Sequence, residues 1–550
     1  MHPPPDAPPE ALDFLGGLTS IAYLTGMNES RPFRRILWVD DEIELLRPHC
    51  LFLEQRGYQV DAIANGDDAL ALLREAPYDL VLLDDQMPGR RGLEVLDILR
   101  RERPELQIVM ITKSEEDRTM MEAIGRRVED YLVKPTSPRQ LLSVVTRILE
   151  GSSIRQQQVA QDFAARYQTL EASRGMGGSC AAFLDRYSEL VDWHLRLEQA
   201  GERGLLESVD SLLVELRREF GLWVREEYAG WMQAQRERPA LSVDLVERWL
   251  LPHLGEEPIV LLVLDCMRLD QWRVLRSLLT PHFDIQEELY LSILPSATPY
   301  ARNAIFSGYF PDELAAAHPG WWDRREDEGS LNDFEDELLR AQLVRLTGRE
   351  VPVHYEKVST DREGDRLRGR VRSALRTPGT AIALVFNFMD QLIHSRAESP
   401  VFMEVARDEV SLRELTRSWM ERSVLAELLR ELAREGVRVI LTTDHGSVHC
   451  TRPATVFAKR DATSGLRYKF GHDLRIEDSR AGWLTSDPSD LRLPPGKLGT
   501  RYLLAQEDHF FVYPTKLREY QSRYRGSFLH GGISPEEMIV PVATLTPRPR

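Results

Sequence analysis

Three carboxylates close three apolar runs. Asp265 ends "PIVLLVLD", Asp390 ends "TAIALVFNFMD" and Asp444 ends "GVRVILTTD". Runs so rich in Val, Ile and Leu predict parallel strands buried on both faces. The carboxyl ends of such strands share one rim, where ligands bind, so the three acids are expected to converge. His394 follows Asp390 by four residues, and one helical turn puts both on the same face. His445 adjoins Asp444, and His530 sits on the Gly-rich turn of "FLHGGISPEEMIVPV", ahead of a capping box at Ser534, Pro535 and Glu537. Three acids and three imidazoles are the donors that two borderline divalent ions take.

A nucleophile candidate precedes most of them. "YLSILPSATPYARNAIFSG" reads as strand, turn and helix, with Thr298 as the N-cap and Pro299 as the first helical residue. The Thr298 hydroxyl could attack phosphorus while helix N-terminal amides hold the phosphate. An unaided alcohol is a poor nucleophile at neutral pH, but a metal lowers the pKa of bound water from about 15.7 to about 7. A comparable effect would make a threonine alkoxide accessible. Arg302 and Asn303, one turn into that helix, could touch phosphate oxygens or could pack. His449, four residues after His445, offers an alternative metal grip. Cys266 should point away from Asp265 by strand alternation. The loop "AKRDATSGLRYKFG" carries Lys459, Arg460, Arg467 and Lys469, either a solvated basic surface or a guide for an anionic chain.

A second constellation lies near the N-terminus. Asp40 and Asp41 follow "ILWV", Asp84 and Asp85 follow "DLVLL", Thr112 ends "QIVMIT", and Lys134 precedes Pro135 in "DYLVKP". By the same rim argument, acids, a hydroxyl and an ammonium meet. Asp40, Asp41 and Asp84 could hold Mg²⁺ through oxygen ligands. One carboxylate could then accept a phosphoryl group as an acyl phosphate, with Thr112 and Lys134 binding its oxygens.

The elements that must position these residues give an α/β chain in several parts. Residues 1–32, Pro-rich and acidic, read as a disordered tail, with Met27 as a candidate start. Strand–helix alternation over 33–152 predicts a doubly wound (βα)5 domain. Apolar residues at three- and four-residue spacing over 153–255 predict an α-helical bundle, broken at "GMGG". Residues 256–545 return to α/β, with the helix "ELLRELAREG" ending at Gly436. A length of 550 residues requires several domains, and 42% hydrophobic with 29% charged residues describes a globular chain. The net charge of −17 argues against a duplex DNA partner. No apolar run reaches the roughly 18 residues of a membrane span. Four scattered cysteines without CxxC spacing suit reduced thiols in a cytoplasmic protein.

The N-terminal motifs "VDDE", "LLDDQMPGRRG", "IT" and "DYLVKP" resemble the receiver domain of bacterial response regulators. The resemblance implies that Asp84, in the D-x-x-M-P register, is phosphorylated by a cognate sensor histidine kinase. It also implies that Thr112, Tyr131 and Lys134 form the switch, and that phosphorylation drives homodimerisation. Lys113 departs from the small residue usual after the threonine. The C-terminal series resembles the alkaline phosphatase superfamily. By that resemblance Asp265, Thr298, Asp444 and His445 hold one ion, and Asp390, His394 and His530 the other. The ions are usually zinc, with manganese as the alternative. Threonine as nucleophile leans toward its diesterase branches. "LDCMRLDQW", "LPSATPYARNAIFSG", "YKFG" and "HGGISPEEMIVP" narrow the match to the PglZ-type branch. Receiver, helical linker and PglZ-type domain together are similar to the PorX-like response regulators. That similarity implies a phosphodiesterase acting on oligo- or cyclic nucleotides and a link to type IX secretion. The competing class is a catalytically silent metal-binding scaffold that signals through protein contacts.

Overall fold

The structure, a computed structural model, describes residues 34–113, 128–175, 178–322, 332–359, 364–398, 406–458, 463, 465–485, 487–495 and 499–549. The expected tail and the Met27 start lie outside them. The chain divides into two compact units, one ending at Gln158 and the other beginning at Val159.

The first unit is built on β1 (Arg35–Val39), β2 (Gln59–Ile63), β3 (Leu80–Asp84), β4 (Gln107–Thr112) and β5 (Asp130–Val133), paired in parallel in the order β2-β1-β3-β4-β5. That order reverses direction between β1 and β3, which opens a crevice at their carboxyl ends. β3 is buried along its whole length. Its side chains alternate between two cores. Leu80 and Leu82 pack with Trp38, Val109 and Val145, while Val81 and Leu83 pack with Leu37, Val95 and Met110. Helix Pro138–Leu149 starts on a capping box in which Ser137 accepts from the Gln140 amide at 3.2 Å and Gln140 Oε1 accepts from the Ser137 amide at 3.2 Å.

The second unit opens with long helices. Cys180–Ala200 is capped by Ser179 and stopped by Gly201 in the left-handed region (φ 75°). Arg203–Met232 buries the stripe Val209, Leu212, Leu213, Leu216, Phe220 and Val224 at helical spacing. The main sheet comprises β6 (Ile259–Leu264), β7 (Phe283–Leu291), β8 (Val353–Val358), β9 (Ala381–Phe386) and β10 (Arg438–Thr442). After β11 (Val448–Cys450), β12 (Arg452–Phe457), β13 (Tyr468–Gly471), β14 (Arg475–Ile476), β15 (Gly482–Thr485), β16 (Arg501–Ala505), β17 (His509–Val512) and β18 (Ser527–Leu529), which form three smaller sheets, it is completed by β19 (Ile539–Pro547). The main-sheet order is β7-β19-β10-β6-β9-β8, antiparallel at β19 and parallel from β10 to β8. β6 and β9 are buried at every residue, as strands covered on both faces must be. The three adjacent parallel strands β10, β6 and β9 are the three runs that carry Asp444, Asp265 and Asp390. Helix Val424–Arg434, the expected crossover, returns the chain to β10, and Gly436 beyond it takes φ 76°.

Candidate active site

The rim of the second unit collects the acids through three different local structures. Asp265 follows β6 directly. Asp444 lies two residues past β10. Asp390 lies not at the end of β9 but in the first turn of helix Phe388–Glu398. Asp265, Asp444 and His445 bring ligand atoms within 4.8 Å of one another. Cys266, Asp390 and His530 form a second such group. His394 Nε2 is 3.3 Å from Asp390 Oδ1, and His530 Nε2 is 3.6 Å from the same oxygen. The His445 and His530 rings stack at 4.3 Å, placing the two groups side by side.

Thr298 stands at this junction. Its hydroxyl oxygen is 3.0 Å from His445 Nε2 and donates to Asp265 Oδ1 at 3.4 Å. The helix it was expected to cap runs Thr298–Ser307, with Ala297 at the N-cap and no side-chain cap bond. Thr298 is therefore the first helical residue, and its hydroxyl is free of the capping role because it faces the rim. His445 Nδ1 lies 2.9 Å from the Gly446 carbonyl. A carbonyl only accepts, so Nδ1 carries a proton and the ring is held with Nε2 turned toward Thr298 and the acids. Beyond them opens a cavity of about 520 Å³, lined by Thr298, Arg302, Asp390, His394, Tyr468 and His530 among others.

The electrostatics are dominated by crowded acids. Burial, then the charge of Asp444, push the Asp265 carboxyl well above the ordinary range. Burial would also raise Asp390, but the hydrogen bond and charge of His394, with His530 and His445, hold it below its ordinary value. Burial and the neighbouring His445 lower His530 well below its ordinary value. Asp444 Oδ2 is buried with no hydrogen-bond partner. A buried carboxylate oxygen without a partner is costly, and a cation between Asp444 and its neighbours removes that cost. The donor set thus fits divalent metal ions.

Two positioning hubs were not visible in the sequence. Arg302 donates from Nη1 to Asp265 Oδ2 and from Nε to Glu335. Burial alone would lower its pKa; the charges of Glu335 and Asp265 reverse that. The guanidinium lines the cavity yet is committed to these acids. Glu537 is the second hub. Its Oε2 accepts from the Gly532 amide at 2.6 Å, and its carboxylate pairs with the fully buried Arg467; Ser296 Oγ donates to the Gly532 carbonyl at 2.8 Å and lies 3.3 Å from Oε2. The loop two residues before Thr298 is thus bonded to the loop two residues after His530, and Glu537 buttresses that junction. Ser534 sits at the N-cap of Pro535–Met538, but its hydroxyl donates to Glu537 Oε1 at 2.9 Å instead of capping a backbone amide.

Other expectations are corrected. Cys266, expected to point away from Asp265, still joins the ligand candidates: β6 ends at Leu264, Cys266 takes a left-handed φ of 64°, and its sulfur groups with Asp390 and His530. Lys469 is not on a solvated surface. It is fully buried in β13, with Nζ donating to the Thr463 carbonyl at 3.0 Å and lying 4.7 Å from the Tyr513 ring centre. Lys459 and Arg460 lie outside the described residues. Asn303 is buried outside the cavity lining, donating to the Pro299 carbonyl at 3.0 Å. His449 is on β11 against the Phe528 ring at 5.0 Å, apart from both ligand groups.

In the first unit, Asp40, Asp41 and Asp84 bring carboxylate oxygens within 4.8 Å of one another. Lys134 Nζ is 2.8 Å from Asp40 Oδ2 and 2.8 Å from Asp84 Oδ2. Burial raises the Asp84 carboxyl, partly offset by Lys134. Burial opposes the Lys134 charge, but the two acids raise its pKa above the ordinary value. Thr112 is buried at the end of β4, and half-buried Tyr131 on β5 packs against the core that holds Leu83.

Three family models match the chain in order: the response regulator receiver domain over residues 36–146, the PorX response regulator linker domain over 153–232, and the BREX system PglZ alkaline phosphatase-like domain over 245–545. The chain is 40% identical over 119 residues to the transcriptional regulatory protein ResD of Bacillus subtilis, covering 22% of this chain and 49% of that protein. It is 30% identical over 219 residues to the alginate biosynthesis transcriptional regulatory protein AlgB of Pseudomonas aeruginosa, covering 40% of this chain and 47% of that one. It thus spans about half the length of the curated relatives it matches. A CheY-like receiver domain protein from Methanospirillum hungatei is a similar solved structure, at 30% identity and a TM-score of 0.20, covering 22% of this chain and 96% of that one. The PglZ model alone spans more than half of the 550 residues, so the chain belongs to the PglZ alkaline phosphatase-like family, and with the receiver and linker ahead of that domain it is a PorX-like response regulator.

Proposed function

We propose that the second unit is a metal-dependent phosphodiesterase with Thr298 as nucleophile, and that the first is its phosphorylation switch, acting through Asp84. The placement of the Thr298 hydroxyl carries the reading: 3.0 Å from His445 Nε2, 3.4 Å from Asp265 Oδ1 and open to the cavity between two ligand groups. Asp265, Thr298, Asp444 and His445 would hold one ion, and Asp390, His394 and His530 the other, with zinc favoured by the mixed nitrogen and oxygen donors and manganese as the alternative. Bound there, the ions supply Lewis acidity and lower the pKa of the threonine hydroxyl.

Thr298 Oγ1 forms a bond to phosphorus as the bond to the leaving oxygen breaks. The hydroxyl proton passes to cavity water, and the leaving alkoxide takes a proton from water. A water molecule then attacks the phosphothreonyl group and frees Thr298. Arg302 fixes Asp265 and adds a permanent positive charge to the cavity wall, and Glu537 holds the two loops in register. In the receiver, a carboxylate oxygen of Asp84 accepts the phosphoryl group from a sensor histidine kinase. Lys134 and Thr112 then bind the transferred oxygens. Asp40, Asp41 and Asp84 would hold a Mg²⁺ ion, which would offset their negative charge. The same reading sets the receiver at 33–152, the linker at 153–255 and the output domain at 256–545. It extends to an oligo- or cyclic nucleotide substrate, a phosphorylation-dependent homodimer in the cytoplasm, and a role in type IX secretion.

The test is turnover of bis(p-nitrophenyl) phosphate by the full chain before and after chelation, with metal content measured alongside. Hydrolysis lost on chelation and restored by zinc or manganese supports the reading. Bound metal without hydrolysis favours the scaffold.

A further inference from the structure

A second cavity of the same unit, about 570 Å³, shares no lining residue with the one at Thr298. It opens between helix Arg203–Met232 and the smaller sheets. In a chain of net charge −17 it gathers four arginines, Arg218, Arg225, Arg452 and Arg480. Two are neutralised: Arg452 by Glu507 and Asp508, Arg480 by Asp478. Arg218 and Arg225 are exposed, and among the described residues neither has an ion pair or hydrogen bond. Seven residues apart, they lie two turns along one helix face. Unpaired guanidiniums that line one concavity attract phosphate, which such groups bind with bidentate geometry.

The rest of the lining points to more than a simple anion. Gly221 lies between the two arginines, and a Cβ there would come within 3.3 Å of Gln506 Nε2, so the glycine lets this amide lie against the helix. An amide offers both a donor and an acceptor, the pairing a base edge requires. Leu222, 46% exposed, supplies an apolar surface beside it. The volume lies within the range of small-molecule sites, about 300–1,000 Å³.

We propose that this cavity is a second, non-catalytic site for a nucleotide, with Arg218 and Arg225 on the phosphate and Gln506 on the base. It stands independently of the metal-site reading. The Gln506 backbone pairs with Ile533, three residues past His530.

The experiment is calorimetric titration of the full chain with adenosine 5′-monophosphate. The proposal expects measurable binding that falls about tenfold or more in Arg218→Ser/Arg225→Ser, and that falls likewise when adenosine replaces the nucleotide. It expects the same loss in Leu222→Glu, which sets a carboxylate against the phosphate, and unchanged affinity in Asp390→Asn at the metal rim. All three cavity positions are exposed, so thermal unfolding should match wild type. Undetectable binding at millimolar nucleotide overturns the proposal. So does wild-type affinity in the double arginine variant, equal affinity for adenosine, or a loss confined to Asp390→Asn. A protein that fails to hydrolyse phosphodiesters leaves these outcomes readable.

Discussion

Glu537→Gln should damage stability and turnover together. The substitution keeps the side chain's shape but removes the charge that pairs with Arg467, a residue with no exposed surface. Breaking a buried ion pair by removing one partner costs about 3–5 kcal/mol. At about 2–4 °C per kcal/mol for a large domain, the melting temperature should fall by roughly 6–20 °C. The amide of Gly532, whose carbonyl receives the Ser296 hydroxyl, loses its charged acceptor as well. Misplacement of a reacting group by about 1 Å can cost on the order of 10²-fold in rate, and both loops lie two residues from a site residue. Thermal unfolding and phosphodiester turnover should be measured on Glu537→Gln, Arg467→Met and the double variant. The cycle should show strong coupling in stability, since removing both charges leaves no unpaired ion. Turnover should stay low in every variant lacking the carboxylate. Wild-type melting and wild-type turnover in Glu537→Gln would refute the argument.

Three further outcomes are expected. Asp84→Asn should take up no phosphoryl group from acetyl phosphate, as read by intact mass, and Lys134→Met should take it up far more slowly; incorporation into Asp84→Asn would contradict the assignment. Burial would raise the Glu409 carboxyl, but Arg268, Arg217 and Arg413 hold it below its ordinary value. Its folded pKa is therefore depressed, so the stability it contributes is present above the unfolded pKa of about 4.3 and is lost as pH falls below that. Glu409→Gln should flatten this acid limb of the unfolding curve, and an unchanged limb would contradict the ion network. Chelation should lower the melting temperature of the second unit, because ligands that bind only the folded state stabilise it; an unchanged melting temperature would argue against metal at Asp265, Asp390 and Asp444.

Much of the fold was legible because its signals are local. Apolar runs ending in Asp265 and Asp444, and the helical spacing of Leu212, Leu216 and Phe220, follow from burial and periodicity. The convergence of three acids followed from a topological rule, since β10, β6 and β9 are neighbours. What failed depended on local backbone detail. The place of Cys266 beside Asp390 and His530 was hidden because strand alternation stops at Leu264, and Thr298 was assigned to a cap one residue late. Long-range partners carried no signal at all. Nothing near Lys469 in the sequence announces the Tyr513 ring, and nothing links Arg467 to Glu537, or Arg302 to Glu335, before the chain folds. Buried charges of this kind read as solvated ones until their partners are known.

The proposed role of Thr298, breaking phosphodiester bonds at a rim of metal ligands, is tested by turnover in Thr298→Ala at matched metal content. Turnover should fall by several orders of magnitude with metal retained, and should recover substantially in Thr298→Ser, which keeps the hydroxyl. Wild-type turnover in Thr298→Ala would contradict it.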